Sequence, residues 1–379
     1  MLRVATVGTN WITDSFIEAA QQTGKINPVA VYSRTMESAE NFARKHQIKR
    51  CFDDLEAMAN SDDIDAVYIA SPNAFHTSQA EIFIRAGKHV MVEKPMASNI
   101  QEAEALIELA QAKNVVVFEA LKTTYNPNFA VVRNSLSKIG RLRKAYFSFC
   151  QYSSRYDKYL NGDNPNTFNP EFANGSLMDI GIYPLSVAIA LFGEPQSFTA
   201  QGTLLDSGVD AHGTLVLHYG DFDTVITHSK VSDSKIPCEL QGELGTLVID
   251  TIAECRNIVI HRRDESDVTL SRFQAKNTMQ YEAAEFARLI EGKDYYHSGL
   301  ERSRIVHTII TVAREIIGIR LTPRLITQLD NIRLIKRLIK RLIKRLIKKR
   351  WPIGHREKEI GFAIVIIIRV VSAIVYQNR

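Results

Sequence analysis

Residues 89–95, HVMVEKP, set the fold class because they end a strand-like apolar run with a lysine placed between an acid and a proline. Residues 90–92 are all apolar, which is typical of a strand buried on both faces of a parallel sheet. Ligands bind outside the carboxyl ends of such strands. We therefore predict Lys94 at the mouth of a binding crevice, with its backbone restricted by Pro95. The alternative is an ordinary solvated turn at a strand end.

Strand-like and helix-like patterns alternate around this stretch. Strands are predicted at residues 2–7, 29–32, 66–70, 90–92 and 115–118, and helices at residues 38–45, 55–59 and 77–86 and in a segment ending at residue 112. Ser98 and Gln101 form a predicted capping box before that last helix. Such alternation indicates an α/β domain with a parallel sheet, and the order fits a Rossmann fold over residues 1–120.

The turn after the first predicted strand carries part of a dinucleotide-binding fingerprint. The sequence GTNWIT, starting at Gly8, stands against G-x-G-x-x-G/A, with Asn10 and Thr13 at the other two glycine positions. Asparagine tolerates a left-handed backbone, so we expect the tight turn to persist. One glycine alone is also typical of any strand-to-helix turn. The candidates for pyrophosphate contact are Gly8, Thr9, Asn10, Trp11 and Ile12.

The second predicted strand ends in YSRT, without the acid that would bind the ribose 2′-hydroxyl of NAD. Ser33 and Arg34 suit a 2′-phosphate instead, so we expect NADP(H) to be preferred over NAD(H). The alternative is that Arg34 is a solvated cation that precedes a helix.

Four landmarks stand together in the chain: GTNWI at residues 8–12, SPNAFH at 71–76, EKP at 93–95 and GSLMDIGIYPLSVAIALFG at 175–193. As a set they resemble the Gfo/Idh/MocA family of NAD(P)-dependent oxidoreductases, over residues 2–319. The resemblance implies that Lys94 reaches the nicotinamide and the substrate, that the peptide before Pro95 is commonly cis, and that Asp179 and Tyr183 complete the catalytic site. Tyr183, where histidine is commoner, resembles the glucose-fructose oxidoreductase and dihydrodiol dehydrogenase branch more than the inositol dehydrogenases.

Further cofactor contacts follow from the same landmarks. They are Ser71, Asn73, His76, Glu93 and Lys94. For His76 we favour a structural role over contact with the nicotinamide ribose.

The strict alternation stops after residue 118, and residues 121–320 are predicted to form an α+β domain on a mainly antiparallel sheet. Its strands are predicted at residues 144–151, 197–202, 213–219, 224–228, 238–242, 245–250 and 257–261, and its helices at 128–136, 179–192, 280–290 and 300–317. In the resembled family this sheet often forms a dimer interface, which implies a homodimer or higher homo-oligomer.

Asp179 and Tyr183 are four residues apart and therefore lie on one helical face. A phenol with a pKa near 10 is a poor base at pH 7, so we expect Lys94 to lower the pKa of Tyr183 and to polarise the reacting oxygen. The alternatives are an N-cap for Asp179 and a core aromatic for Tyr183. Tyr152, Arg155 and Tyr156 are candidates for the substrate pocket.

These patterns predict an enzyme that transfers a hydride between nicotinamide and a secondary alcohol or carbonyl of a sugar, polyol or cyclic diol. The alternative is a non-catalytic NAD(P)-binding sensor or regulator of the same fold. His212, His218 and His228 have no acids at ligand spacing, so no metal centre is expected. Four scattered cysteines without a CxxC pair, and no visible secretory signal, predict a cytoplasmic protein.

The composition changes abruptly at residue 321, where RLIK repeats follow. Residues 333–350 hold ten Lys and Arg and no acid, which exceeds the net charge of +5 of the whole chain. The remainder is net acidic, so a nucleic-acid role for the main body is not expected. Residues 361–376 are largely apolar but shorter than the roughly 20 residues that span a bilayer. We interpret residues 321–379 as an atypical extension; a membrane-surface anchor is the less favoured alternative.

We predict that a chain stopped near Leu321 folds and binds NADPH as well as the full chain, because both predicted domains are complete before it. The repeat has no register-specific apolar face, and its cations would cost several kcal/mol each if buried unpaired. The test compares the thermal melting and the NADPH affinity of the two proteins. An insoluble truncated protein, or one that melts well below the full chain, would show that the boundary is misplaced.

Overall fold

The computed structural model describes residues 1–319, which contain two β-sheets and ten α-helices. The predicted extension lies outside the described residues. The first sheet consists of β1 (Leu2–Val7), β2 (Ile26–Tyr32), β3 (Arg50–Phe52), β4 (Ala66–Ile69), β5 (His89–Glu93) and β6 (Val117–Ala120). Its helices are α1 (Trp11–Gln22), α2 (Met36–His46), α3 (Leu55–Ala59), α4 (His76–Arg85) and α5 (Ile100–Lys113).

All neighbouring strands of this sheet are parallel, in the order β3-β2-β1-β4-β5-β6. The Rossmann prediction is confirmed. Every residue of β4 is buried, as are the three central residues of β5, because helices cover both faces of the sheet. The chain reverses its direction of winding between β1 and β4, and the carboxyl ends of these strands open a crevice there.

Most element boundaries differ from the predicted ones by one to three residues. The predicted capping box at Ser98 is wrong, because Asn99 caps α5 by accepting a hydrogen bond from the backbone N–H of Glu102. Glu102 in turn accepts from the backbone N–H of Ser98 at 3.1 Å. Asn99 and Glu102 therefore take the places predicted for Ser98 and Gln101, one residue further along the chain.

The second sheet has eight strands in the order β14-β13-β12-β11-β7-β10-β9-β8. These are β7 (Leu142–Cys150), β8 (Ser197–Leu204), β9 (Asp210–His218), β10 (Asp223–Ser229), β11 (Cys238–Gly242), β12 (Gly245–Ile249), β13 (Ile258–Arg262) and β14 (Val268–Thr269). The chain after β6 also forms α6 (Pro127–Ser135), α7 (Tyr156–Leu160), α8 (Ile182–Phe192), α9 (Met279–Glu291) and α10 (Ser298–Ile317). Of these, α9 packs in the core of the first sheet together with α1. The prediction of a mainly antiparallel sheet is confirmed, and β7 with β10 is its one parallel pair among the described residues.

Burial alternates along the strands of the second sheet, so one face packs and the other stays partly exposed. Helices α8 and α10 supply apolar side chains to the same core as the inward residues of the sheet. The segment Pro170–Phe192 has the length and hydropathy of a membrane span, but its most apolar window is 72% buried within the protein. That burial identifies it as cover for the sheet.

Glu119 at the end of β6 joins α10 to the turn that follows β5. Its Oε1 atom accepts from the backbone N–H of Met96 at 2.9 Å and contacts His307 Nε2 at 3.0 Å, while Oε2 accepts from Ser303 at 2.5 Å. Burial alone would raise the pKa of Glu119, but the His307 ring and the hydrogen-bond donors lower it to about 2. The turn that carries Lys94 is thereby fixed, through Glu119, to α10, whose His307 lies 188 residues beyond Glu119 in the chain.

Candidate functional site

A cavity of about 760 Å³ opens at the carboxyl edge of the first sheet and is closed on its other side by the second sheet. Ten of the predicted site residues line it: Asn10, Trp11, Ile12, Ser71, Asn73, His76, Glu93, Lys94, Asp179 and Tyr183. Gly8, Thr9, Ser33 and Arg34 do not line this cavity; they follow β1 and β2 at the same edge. Ten of the fourteen predicted residues therefore lie around one cavity.

Lys94 follows β5, and its peptide bond to Pro95 is cis. Its side chain is 13% exposed. The ammonium donates to the backbone carbonyl of Asp179 at 2.6 Å and to Asp179 Oδ1 at 2.7 Å. Burial alone would lower the pKa of Lys94, but the neighbouring Asp179 carboxylate outweighs it and raises that pKa. Lys94 is therefore a fixed cation at neutral pH.

The carboxylate of Asp179 lies between two lysines. Oδ1 accepts from Lys94, and Oδ2 forms a short ion pair with Lys230, which follows β10. Burial alone would raise the pKa of Asp179, but the two ammonium groups hold it below its ordinary value. Asp179 lies in a π-helical turn (Leu177–Gly181) that precedes α8, and the N-cap of that turn is Ser176. The N-cap alternative for Asp179 is excluded.

Tyr183 is half-buried in the first turn of α8. Its ring centroid lies 5.1 Å from Lys94 Nζ and 5.5 Å from the ring of Phe149, which it meets edge to face. The expectation of a lowered pKa is wrong: burial raises the pKa of Tyr183 and outweighs the opposing effect of Lys94 and Lys122. Tyr183 is therefore a protonated phenol at neutral pH, suited to donate a proton.

Lys122 lies just after β6, in a short 3₁₀ turn (Lys122–Tyr125). It pairs with Glu254 and lines the cavity together with Tyr183. The same three residues, with Glu93, also line a second cavity of about 610 Å³ beside α1 and α9. Lys122 was not predicted from the sequence, although its position two residues after a strand of the parallel sheet resembles that of Lys94.

The turn after β1 brings the backbone of Gly8 close to that of Ala70. Gly8 has a φ of +107°, and a Cβ placed there would lie 2.9 Å from the carbonyl oxygen of Ala70. Only glycine fits this position. Asn10 does not adopt the expected left-handed conformation; its backbone is extended. Its side chain caps α1 by accepting from the N–H groups of Ile12 and Thr13, and it donates to Ala70 at 2.9 Å.

The remaining predicted cofactor residues connect loops around the cavity. The buried His76 ring lies 2.9 Å from the carbonyl oxygen of Pro95 and 2.7 Å from that of Ser71. This geometry is that of a structural role. Asn73 donates to the loop at Ala173 and Asn174, at 3.2 and 2.9 Å.

Glu93 accepts from the hydroxyl of the buried Tyr68 at 2.6 Å. Burial raises the pKa of Glu93. Trp11 is 72% exposed at the cavity mouth.

Tyr152, Arg155 and Tyr156 do not line the cavity, which is bordered by Phe149, Cys150 and Gln151 instead. Tyr152 and Tyr156 contact each other edge to face, in an aromatic cluster around α7. The expectation that these three residues line the pocket is therefore wrong for this cavity. Within residues 1–319, no group of three or more His, Cys, Asp or Glu is arranged to hold a metal.

Two family models match the chain. One, described as an oxidoreductase family with an NAD-binding Rossmann fold, matches residues 2–121. The other, described as the GFO/IDH/MocA C-terminal domain, matches residues 135–248.

The alignments with similar proteins span nearly the whole length of those proteins. The uncharacterized oxidoreductase YgjR of Escherichia coli (strain K12) is 51% identical over 319 residues, which are 84% of this chain and 97% of that protein. The scyllo-inositol 2-dehydrogenase (NADP(+)) IolU of Bacillus subtilis (strain 168) is 48% identical over 321 residues, 84% and 98% of the two chains. The crystal structure of KijD10, a 3-ketoreductase from Actinomadura kijaniata, in complex with NADP and TDP-benzene, is similar with a TM-score of 0.74 and 22% identity, over 83% of this chain and 97% of that one. At that identity the likeness shows the fold alone.

We predict that Lys122→Met raises the pKa of Tyr183 further, because it removes one of the two cations that favour the tyrosinate. Lys122→Arg keeps the charge and should leave the pKa near that of the parent. The measurement is an NMR titration of isotope-labelled tyrosine, with Tyr183→Phe identifying the signal. An unchanged or lowered pKa in the methionine variant would contradict the prediction.

Proposed function

The chain belongs to the Gfo/Idh/MocA oxidoreductase family, and we propose that it transfers a hydride between a nicotinamide cofactor and a secondary alcohol or carbonyl of a sugar, polyol or cyclic diol. The observation that carries the proposal is the contact of Lys94 with Asp179 and with the ring of Tyr183 on one wall of the cavity. A fixed cation and a phenol together can handle the charge and the proton of a reacting oxygen.

The residues at the crevice fit a dinucleotide. The glycine-only position at Gly8, next to the start of the twelve-residue helix α1, leaves room for a phosphate near a helix N-terminus. Gly8, Thr9, Asn10, Trp11 and Ile12 would hold the pyrophosphate, and Ser71, Asn73, Glu93 and Lys94 would border the nicotinamide half. When bound, the nicotinamide ring supplies or accepts the hydride.

The roles of the protein groups follow from their charge states. Lys94 donates a hydrogen bond to the reacting oxygen and stabilises the negative charge that develops there. Asp179 keeps the Lys94 ammonium in place. In the direction of reduction, Tyr183 donates its proton to that oxygen; in oxidation, a tyrosinate takes the proton up. Because the pKa of Tyr183 is raised, oxidation should speed up with rising pH, and reduction should slow once the pH passes that pKa.

We propose NADP(H) as the preferred cofactor. IolU, the 48% identical relative, is named as NADP(+)-dependent. In this chain Arg34 is exposed just beyond β2, and Ser33 precedes it, where a ribose 2′-phosphate would be bound. A guanidinium at that place favours the extra phosphate.

We further propose a cytoplasmic homo-oligomer that associates through the open face of the second sheet. A continuous row of half-buried side chains crosses that face in register: Val216, Val225, Tyr146, Glu239, Val248 and Val259. Mainly apolar rows of this kind favour a protein partner. A single-chain mass in light scattering would refute the oligomer.

The four free cysteines support a reducing compartment.

The alternative of a non-catalytic sensor gains no support from the site. A sensor needs the cofactor crevice but not a lysine, an acid and a phenol assembled at its end. Lys94, Asp179 and Tyr183 are all present and in contact or close proximity.

We predict that Lys94→Ala and Tyr183→Phe each lower kcat by about 10²- to 10⁴-fold, because both groups act on the reacting oxygen in the transition state. The NADPH Kd should change far less. The measurement is a panel of inositols, sugars and cyclic diols or their ketones, followed by NADPH or NADH absorbance. Tyr183→Phe should also remove the pH dependence described above.

Matched controls are Lys138→Ala, at an exposed lysine away from the cavity, and Tyr156→Phe, outside its lining. Both should keep normal turnover. A Lys94 or Tyr183 variant with near-parental turnover would remove that residue from the mechanism, and a parent protein inactive on the whole panel would argue for the sensor.

We predict that Arg34→Ala weakens NADPH binding by about tenfold and leaves NADH binding nearly unchanged, because only NADPH has the 2′-phosphate that the guanidinium would contact. The measurement is the Kd of each cofactor by fluorescence. The exposed Arg44 on α2 provides a matched control as Arg44→Ala. If the ratio of the two Kd values is the same in Arg34→Ala and in the parent, the assignment fails.

A further inference from the structure

Lys230 is a second lysine at the cavity, and the hydride transfer proposed for Lys94, Asp179 and Tyr183 leaves it without a role in substrate binding. It comes directly after β10, its side chain is 9% exposed, and it forms an ion pair with Asp179 Oδ2. An ammonium has three N–H donors. Asp179 is the one acceptor found for Lys230 Nζ within residues 1–319, so two donors are left at the cavity.

Lys94 has a complementary arrangement. Two of its three donors are used by the carbonyl oxygen and by Oδ1 of Asp179. One donor is left for the reacting oxygen. A buried donor without an acceptor is costly, so both lysines favour a ligand that brings oxygens to them.

The carboxylate of Asp179 holds the two ammonium groups close to each other. One ammonium is bound to each oxygen of a single carboxylate, so the free donors of Lys94 and Lys230 serve the same small volume of the cavity. Two oxygens on adjacent carbons are held similarly close together by the covalent structure of a diol. We propose that Lys230 is a specificity-determining residue that binds the hydroxyl next to the reacting carbon, so that the substrates are vicinal diols and the corresponding α-hydroxy ketones.

The charges around the pair favour a neutral ligand. Two lysines and one carboxylate leave one positive charge, which suits the oxygen that becomes negative during the reaction. The other acids of the lining (Glu93, Asp233, Asp250 and Glu254) outnumber its other lysines (Lys122 and Lys235), so the cavity has no excess of cations to hold a substrate carboxylate or phosphate. The second oxygen is therefore expected to be a hydroxyl.

This inference rests on the proposed function, and its test compares two ketones that differ by one hydroxyl: 2-hydroxycyclohexanone and cyclohexanone. The parent protein should reduce the hydroxy ketone with a kcat/KM about 10- to 100-fold higher, the usual value of a hydrogen bond to a charged group. In Lys230→Met the ratio of the two kcat/KM values should fall to nearly one, because kcat/KM for the hydroxy ketone decreases while that for cyclohexanone is kept. If neither small ketone is turned over, the comparison uses the best ketone of the panel and its analogue without the neighbouring hydroxyl.

The matched control is Lys235→Met, which removes an exposed lysine that lines the same cavity but does not contact Asp179. It should keep the preference. Thermal melting and NADPH affinity check that each variant is folded, and Lys230→Gln replaces Lys230→Met if the latter does not fold.

The outcomes separate the two proposals. If Lys230→Met lowers kcat/KM equally for both ketones, Lys230 only holds Asp179 and the inference is overturned. A parent protein that does not distinguish the two ketones also overturns it, while the oxidoreductase function stands. A parent protein that turns over nothing in the panel refutes the proposed function itself.

Discussion

The ion pair between Lys94 and Asp179 is the interaction on which the site depends, because it joins the edge of the first sheet to the helical turn that covers the second sheet. Lys94 leaves the end of β5 in the parallel sheet, and Asp179 lies in the helical turn that covers the second sheet. Burying a single ammonium would cost several kcal/mol, and the pair compensates for this only if both elements stay in place. The pair therefore requires both elements to be in place, and Glu119 fixes the turn after Lys94 by accepting a hydrogen bond from the backbone N–H of Met96.

Whether burial prevails at each ionisable group of the site depends on whether an opposite charge lies at hydrogen-bond distance. For Asp179 and Lys94, partners at hydrogen-bond distance overcome the cost of burial, so both are ionised. Tyr183 has no carboxylate or ammonium at hydrogen-bond distance among the described residues, and its contact with Lys94 is made through the ring. Burial then prevails and the phenol keeps its proton. A site of this kind is prepared for reduction at neutral pH, and oxidation requires the proton to be removed first.

The sequence predicted the fold well because its signals are local. Alternating apolar runs and turns identified the Rossmann sheet and nearly every strand of the second sheet. Gly8, Lys94, Asp179 and Tyr183 were found through motifs at strand ends or on one helical face. The direction of the Tyr183 pKa shift was missed because burial depends on the packing of Phe149 and the second sheet around it. Lys230 was missed because no motif marks the end of an antiparallel strand, and only the register of β10 with β7 and β9 brings it to the site.

The identity of residue 183 is a weak guide to substrate. A tyrosine there resembles the branch of glucose-fructose oxidoreductase and dihydrodiol dehydrogenase, yet the chain is 48% identical to a protein named as a scyllo-inositol dehydrogenase. These compounds share a feature beyond the reacting carbinol, since an inositol, a sugar and a dihydrodiol all carry a hydroxyl on the adjacent carbon. The proton donor acts on the reacting oxygen alone and cannot sense that neighbour. Recognition of it needs a second donor fixed at the same carboxylate, and Lys230 is in that position. Substrate choice within such a site would then depend on which groups surround the pair of lysines, while the proposed role of Tyr183 concerns only the proton.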